Sequence, residues 1–360
     1  MKLVVFGLTI SSSWGNGHAT LLRALFRQLI ARGHHIVFFE RDVPYYADHR
    51  DLHELPGGKL IFYRNWDDAV ATARHEVSDG DVAMVTSYCP DGIAASEVVW
   101  SSDALRVFYD MDTPVTLSNL RAGQPLTYVD SRGLGDYDLV LSFTGGGALR
   151  ALQEEMGARK VAPLYGSVDP DLYHRVAPNE YYRSDFSYLG TYAADRQAAL
   201  EQLFIEPARR MPDQRFVIGG AQYPQEFPWS GNIFFVRHLP PSEHPAFFSS
   251  SRVTLNVTRD TMKTMGWCPS GRVFEASACG TPMISDWWAG LDEFFTPGEE
   301  ILIAQTPEET MAALQRSDEE LSRIAHAARE RALAEHSSAR RAEQLGKLLV
   351  NAREAEAVAA

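Results

Sequence analysis

Cys268-Pro269-Ser270-Gly271-Arg272-Val273-Phe274-Glu275-Ala276-Ser277-Ala278-Cys279-Gly280-Thr281-Pro282-Met283-Ile284-Ser285-Asp286 spells out a helix, its stop and the strand that follows. Pro269 and Ser270 open a helix, with the Ser270 hydroxyl placed to cap the first free amides. Gly280 stops the helix, Thr281-Pro282 turns the chain, and Met283-Ile284-Ser285 begins a buried strand. Bare backbone N–H groups at 270–273 and the Arg272 guanidinium therefore meet at a helix start, which is a ready anion site. Glu275, in the first turns, is placed to accept from ribose hydroxyls beside a bound diphosphate. A plain helix–turn–strand crossover with a solvated glutamate fits the same residues, and the stretch alone leaves both readings open.

The run Arg272-x-x-Glu275-Ala276-x-Ala278-Cys279-Gly280-x-Pro282 resembles the donor-site signature of GT-B glycosyltransferases, α/β proteins with two Rossmann-like domains facing across a cleft. A closer resemblance, to the CgeB-like (spore maturation) glycosyltransferases, is carried by the same run with Leu255-Asn256-Val257-Thr258-Arg259 and Asp286-Trp287-Trp288-Ala289-Gly290-Leu291. The resemblance implies that Glu275 holds the ribose of a nucleotide sugar, UDP being one candidate nucleotide, and that Ser270, Gly271 and Arg272 face its diphosphate. It places Gly190, Thr191, Asn256 and Arg259 on the donor side, and it puts the base against the loop Arg237-His238-Leu239. Arg272 is the first choice of catalytic cation, with Arg259 and Arg196 behind it. One position departs: eight residues before Glu275, where a retaining subgroup carries a second glutamate, stands Trp267. That departure speaks against a retaining mechanism of that subgroup's kind.

A chain of 360 residues is too long for one ordinary core and suits two domains of roughly 150–180 residues. Hydrophobic content of 45% and charged content of 22% describe a globular protein. The net charge of −13 argues against a nucleic-acid partner but leaves room for small anions, which need only a few local cations. Cys89, Cys268 and Cys279 have neither metal-type spacing nor a disulfide framework, so a reducing cytoplasm is expected. The chain opens directly on a strand, so no signal peptide is expected, and no apolar run approaches the roughly 18–20 residues that span a bilayer.

The first domain is read over 1–168, on the acceptor side, and is completed by a returning C-terminal helix over 336–360; the donor domain is read over 180–335. Residues 2–7 form a buried parallel strand, and Leu21, Leu22, Leu25, Phe26, Leu29 and Ile30 mark one face of the next helix, stopped at Gly33. The strand Ile36–Phe39 completes a βαβ unit. A dinucleotide fingerprint fails there, because Thr20 stands where the third glycine belongs. Gly15-Asn16-Gly17-His18-Ala19 with Ala31-Arg32-Gly33-His34 instead resembles the glycine loop and helix end of GT-B enzymes. Further strands are expected near 60–63, 82–86, 105–109, 139–142 and 160–164. In the second half they fall near 186–191, 215–218, 233–236, 253–257, 282–285 and 300–304, with a helix over 195–210. The segment 165–173 is expected to bridge the domains.

Glycosyl transfer needs a holder for the diphosphate, relief of its charge as it leaves and, where configuration inverts, a base for the acceptor hydroxyl. His18 is the candidate base, beside the glycines of the first loop; the alternative is that it only positions the donor or the loop. Gly15, Asn16, Gly17, Asp110, Asp112, Gly145 and Gly146 are read as acceptor- or sugar-side residues. Asp110-x-Asp112 also invites a metal reading, but that pairing belongs to the GT-A class, and no metal or cofactor is expected beyond the nucleotide sugar itself. Competing functions on the same scaffold are a nucleotide-sugar 2-epimerase, which needs further cleft carboxylates, and a non-catalytic nucleotide-sugar-binding protein.

Overall fold

The computed structural model describes residues 1–359; Ala360, the end of the segment expected to complete the first domain, lies outside the described residues. The chain divides into two units, Met1–Gly166 with the chain from Ser338 onward, and Ser167–Ser337.

In the first unit seven strands pair in parallel: β1 (Lys2–Gly7), β2 (His35–Arg41), β3 (Lys59–Tyr63), β4 (Val82–Thr86), β5 (Leu105–Asp110), β6 (Leu139–Ser142) and β7 (Val161–Pro163). Their order is β3-β2-β1-β4-β5-β6-β7. Leu3–Phe6, Ile36–Phe39 and Val82–Val85 are buried throughout, as strands covered on both faces require. Helix Gly17–Ala31 buries Leu22, Leu25, Phe26 and Leu29 against this sheet. Asn16 caps the helix, and Gly33 ends it at φ +81°. The last helix, Ser338–Ala359, returns to this unit and sets Ala342, Leu345, Leu349 and Ala352 into the same core. Its Arg341 Nε binds the carbonyls of Tyr165 and Gly166 at 3.1 Å each, and Gln344 Nε2 binds that of Pro163 at 3.0 Å.

The second unit holds β8 (Ser184–Leu189), β9 (Phe216–Gly220), β10 (Ile233–Arg237), β11 (Ser251–Asn256), β12 (Met283–Ser285) and β13 (Leu302–Ile303). They pair in parallel in the order β10-β9-β8-β11-β12-β13. The segment 169–179, which takes in the second half of the bridge expected at 165–173, is fixed to this unit. Val176 N donates to Ser249 Oγ (3.1 Å) and Asn179 N to Ser250 Oγ (2.8 Å), while Tyr173 is buried. The two passages of chain between the units run side by side, because Val168 pairs with Ser337 and its N–H bonds to the His336 carbonyl at 2.9 Å.

The helix expected over 195–210 forms as one unbroken run whose winding changes along it. It runs as a 3-10 turn (Ala194–Arg196), a short α segment (Gln197–Leu200), a π turn (Glu201–Ile205) and a last α turn (Glu206–Arg210). Pro207 has no N–H for the Leu203 carbonyl and its ring would strike it; widening the preceding turn relieves the clash.

Candidate active site

In an open parallel sheet, ligands bind at the carboxyl ends of the strands where the strand order reverses. In the second unit that point lies between β8 and β11. β8 runs out at Gly190-Thr191, under which the buried Tyr188 hydroxyl sits without a hydrogen-bond partner. Tyr223 donates its hydroxyl to the Gly190 carbonyl at 2.9 Å. Gly220 closes the neighbouring strand at φ +154°, and a Cβ there would lie 2.0 Å from that same carbonyl oxygen. Only glycine fits.

Three guanidinium groups collect at this edge. Arg196 reaches the Thr191 carbonyl with Nη1 at 3.3 Å, and its buried Nε has no partner. Burial and the neighbouring charges of Arg272 and Arg259 push Arg196 below its ordinary value. Arg259 pairs with Asp195 (Nε to Oδ2, 3.0 Å). Arg272 lies in the first turn of helix Gly271–Ala278, whose N-cap residue is Ser270. The Ser270 hydroxyl does not cap the helix as the sequence suggested; it donates to Asn256 Oδ1 at 2.8 Å. Asn256 is buried, and its Nδ2 donates to Ser285 Oγ at 3.0 Å. Both ends of the amide are thus engaged within the chain. Asn256, expected among the donor contacts, instead anchors the helix start to the end of β11 and leaves its first amides without a side-chain cap.

Glu275 lies one turn in. Burial pushes its carboxyl up, while the Arg272 charge and a hydrogen bond from Tyr173 hold it back. Tyr173 also meets His244 Nδ1 at 3.3 Å. Burial and the Arg272 charge depress that imidazole to about 4, against an opposing hydrogen bond with the Leu239 backbone, so it is neutral at pH 7. His244 thereby links the helix start to the loop 237–240. There Arg237 and His238 are exposed, and His238 takes φ +54° with its N–H on the Gly220 carbonyl (2.8 Å). Deeper in the same edge, Thr258 N and Oγ1 each donate to Asp286 Oδ1 at 3.0 Å, and Lys263 lies 3.4 Å from Oδ2. Trp267, where the retaining subgroup carries a glutamate, donates its indole N–H to Glu293 at 2.8 Å and packs on Gly290.

The reversal in the first unit lies between β1 and β4. The loop after β1 is tied down from within: the buried Glu40 carboxylate, at the end of β2, accepts from Thr9 Oγ1 (2.7 Å), Ile10 N (2.8 Å) and Ser11 N (3.0 Å). Amides that would cradle a pyrophosphate are therefore occupied, which agrees with the failed dinucleotide fingerprint. Asn16 Oδ1 accepts from His18 N at 3.1 Å, fixing the entry to helix Gly17–Ala31; Gly15 (φ +60°) and Gly17 are exposed. The His18 ring stacks against Tyr88, centroids 6.0 Å apart, and Tyr88 donates to Asp112 Oδ2 at 2.9 Å. Burial lowers the His18 imidazole below its ordinary value, and the Asp112 charge opposes the shift.

Asp110 is buried at the end of β5 and accepts from Asp112 N (3.1 Å) and Thr116 Oγ1 (3.0 Å); burial raises its carboxyl to about 6. Asp112 stands at the N-cap of helix Thr113–Arg121, but its side chain bonds to Tyr88 rather than capping the helix. Gly145 is buried and Gly146 is exposed with φ +55°, just before helix Gly147–Met156. No group of three or more His, Cys, Asp or Glu side chains placed to hold a metal ion occurs among the described residues.

Solved structures share this arrangement of two parallel sheets. Sucrose-phosphate synthase from Thermosynechococcus elongatus superposes with a TM-score of 0.73 at 16% identity, covering 99% of this chain and 100% of the other. Anabaena HepE, in complex with UDP and glucose, gives 0.66 at 12% identity over 98% and 100% of the two chains. An α-glucosyltransferase in complex with UDP-glucose and DNA containing an abasic site gives 0.69 at 12% identity over 97% and 99%. The fold is GT-B.

Residues 196–347 match a family model described as glycosyl transferase-like, and no curated protein matches the chain. The matched segment opens at Arg196 and contains Arg259, Arg272 and Glu275. Sequence reasoning missed Tyr173, Tyr188, Tyr223, His244, Lys263 and Asp286 at this edge. Of these Asp286 stands in the quoted signature runs with no role read for it, and Tyr173 stands in Asp169-Pro170-Asp171-Leu172-Tyr173, where it reads as part of a hinge.

Proposed function

We propose that this GT-B protein is a glycosyltransferase that moves a sugar from a nucleoside-diphosphate sugar to an acceptor hydroxyl without a metal ion. On this reading it is a cytoplasmic member of the CgeB-like group. The carrying observation is the convergence of Arg196, Arg259 and Arg272 on a helix start with no side-chain cap, one turn ahead of Glu275. Three cations face two carboxylates, Asp195 paired with Arg259 and Glu275 beside Arg272, and the remaining positive charge calls for an anion. A leaving diphosphate develops charge at that spot, and fixed guanidinium and amide groups stabilise it without reorganising. Glu275 takes the ribose, and the loop 237–240 takes the base. The UDP and UDP-glucose complexes among the similar structures make a uridine nucleotide the first choice.

His18 serves as the base. Its lowered imidazole is neutral at pH 7 and so able to accept the hydroxyl proton, and Asp112 stabilises the cation that forms. The net charge of −13 speaks against DNA as the acceptor, since phosphate backbones bind basic surfaces. Beyond Glu275, the carboxylates described at this edge are Asp195 and Asp286, and each is already paired, with Arg259 and Lys263, which disfavours the free acid and base that the epimerase alternative needs.

The test is release of free nucleoside diphosphate from UDP-glucose and its GDP, dTDP and ADP counterparts in the presence of hydroxyl acceptors and EDTA. Release that depends on acceptor and survives EDTA is expected. His18→Ala should lower turnover by roughly 10²–10⁴ while leaving donor affinity nearly unchanged. Failure of every nucleotide sugar to bind would overturn the reading.

A further inference from the structure

A second cationic site lies at the other end of helix Gly271–Ala278. A cavity of about 460 Å³ opens where this helix ends, walled by the start of β11 and by helix Asp318–Glu335. That size is within the range of small-molecule sites. Its charged lining is Arg175, Arg252, Asp318, His326 and Arg329. Arg252 and Asp318 satisfy one another at 2.8 Å, and Arg252 also binds the Leu314 and Arg316 carbonyls at 2.7 Å each. The other basic side chains of the lining have no such partners. Arg175 and His326 make no hydrogen bond or ion pair among the described residues, and Arg329 reaches only the adjacent, exposed Glu330 at 3.4 Å. Arg175 and Arg329 both come within 3.9 Å of the point a Cβ on Gly280 would occupy, so their side chains converge on one spot.

The C-terminal end of the helix carries about half a negative charge, which offsets one arginine in part and leaves the second uncompensated. Two arginines beside a polar cavity on a chain of net charge −13 are a local reversal of sign. Cys279 also lines the cavity, but burial pushes its thiol up to about 12, so no covalent chemistry is read into it.

We propose that this cavity binds a compact polyanion of the phosphate class, held by the forked donors of Arg175 and Arg329 with His326 at the rim. The site is separate from the diphosphate site, about 12 Å away along the same helix at 1.5 Å per residue. It stands whether or not the protein transfers sugars.

The test is calorimetric titration of the full chain with inorganic pyrophosphate in two double variants. Arg259→Ala with Arg272→Ala removes donor-side cations, and pyrophosphate binding at one site should persist. Arg175→Ala with Arg329→Ala, made in that background, should weaken the remaining binding at least tenfold. Should the combined variant fail to fold, His326→Ala in the donor-side background replaces it, since His326 is exposed; a threefold or greater loss of affinity is expected, with the His326 ring protons of the parent shifting on titration. Binding that vanishes with Arg259 and Arg272, or that survives loss of the back-side cations unchanged, overturns the proposal.

Discussion

Glu275 is a carboxylate held where burial disfavours its charge, kept usable by Arg272 on one side and the Tyr173 hydroxyl on the other. Accepting two ribose hydroxyls would replace the lost hydration with hydrogen bonds to a charged group, each worth about 1.5–3 kcal/mol. Glu275→Gln keeps the shape and one acceptor oxygen but removes the charge, so affinity for UDP should fall about tenfold, or roughly 1.4 kcal/mol. Glu275→Ala should cost more, and both should matter less for a 2′-deoxyribose nucleotide. Tyr173→Phe deletes only the supporting donor and should weaken UDP binding about two- to tenfold. Calorimetry on the three variants decides it; undiminished UDP affinity in Glu275→Ala would show that the donor site lies elsewhere.

At the scale of elements, the edge where β8 and β9 end depends on strand ends meeting at close quarters. Gly280 and Gly220 both have positive φ, but they stop their elements for different reasons. A Cβ at Gly280 meets nothing nearer than 3.9 Å, whereas one at Gly220 overlaps the Gly190 carbonyl at 2.0 Å. Gly280→Ala should therefore cost only the left-handed backbone conformation, about 1–2 kcal/mol. Gly220→Ala must also push β8 and β9 apart at their ends, displacing Gly190-Thr191, and should cost at least twice as much. Chemical denaturation of the two variants measures the difference; equal losses would mean that the contact between these strand ends is not rigid.

At the scale of the molecule, the first unit accepts a standing cost. Asp110 is fully buried with its carboxyl raised to about 6, against an ordinary value near 3.8. A raised carboxyl binds its proton more tightly in the folded state. Its contribution is thus favourable below about pH 4 and is lost as pH rises through 6. At pH 7 folding buries the charge. Asp110→Asn should accordingly stabilise the protein at pH 7.5 by about 1–3 kcal/mol, and the gain should vanish as the pH is lowered toward 4. Calorimetric melts at pH 7.5 and 4.5 test this: a gain that does not shrink on acidification would contradict the burial of a charged carboxylate. Asp110 ends β5 at the carboxyl edge of the sheet, where open parallel sheets bind ligands, so on the proposed function the same variant should lose transfer activity.

Much of this was legible in the chain itself. Continuous apolar runs such as Leu3–Phe6 and Ile36–Phe39 fit only doubly covered parallel strands, and the alternation of such runs with helical patterns sets both sheets. The helix carrying Arg272 and Glu275 was equally readable, because Ser270, Gly280 and Pro282 punctuate it locally. What Ser270 does was not: sequence offered a cap, and the fold brought Asn256 to its hydroxyl instead. Arg196 could not be told from a surface arginine until the 3-10 turn before Pro207 set it beside Arg259 and Arg272. Nor could Tyr173 and His244 be tied to Glu275, from which they are far in sequence. Periodicity and turn chemistry act between residues a few positions apart, so the elements and their layering follow from the chain read locally. Charge clustering and the filling of hydrogen bonds act through space, so the choice of side chains that make the site follows from the folded chain alone.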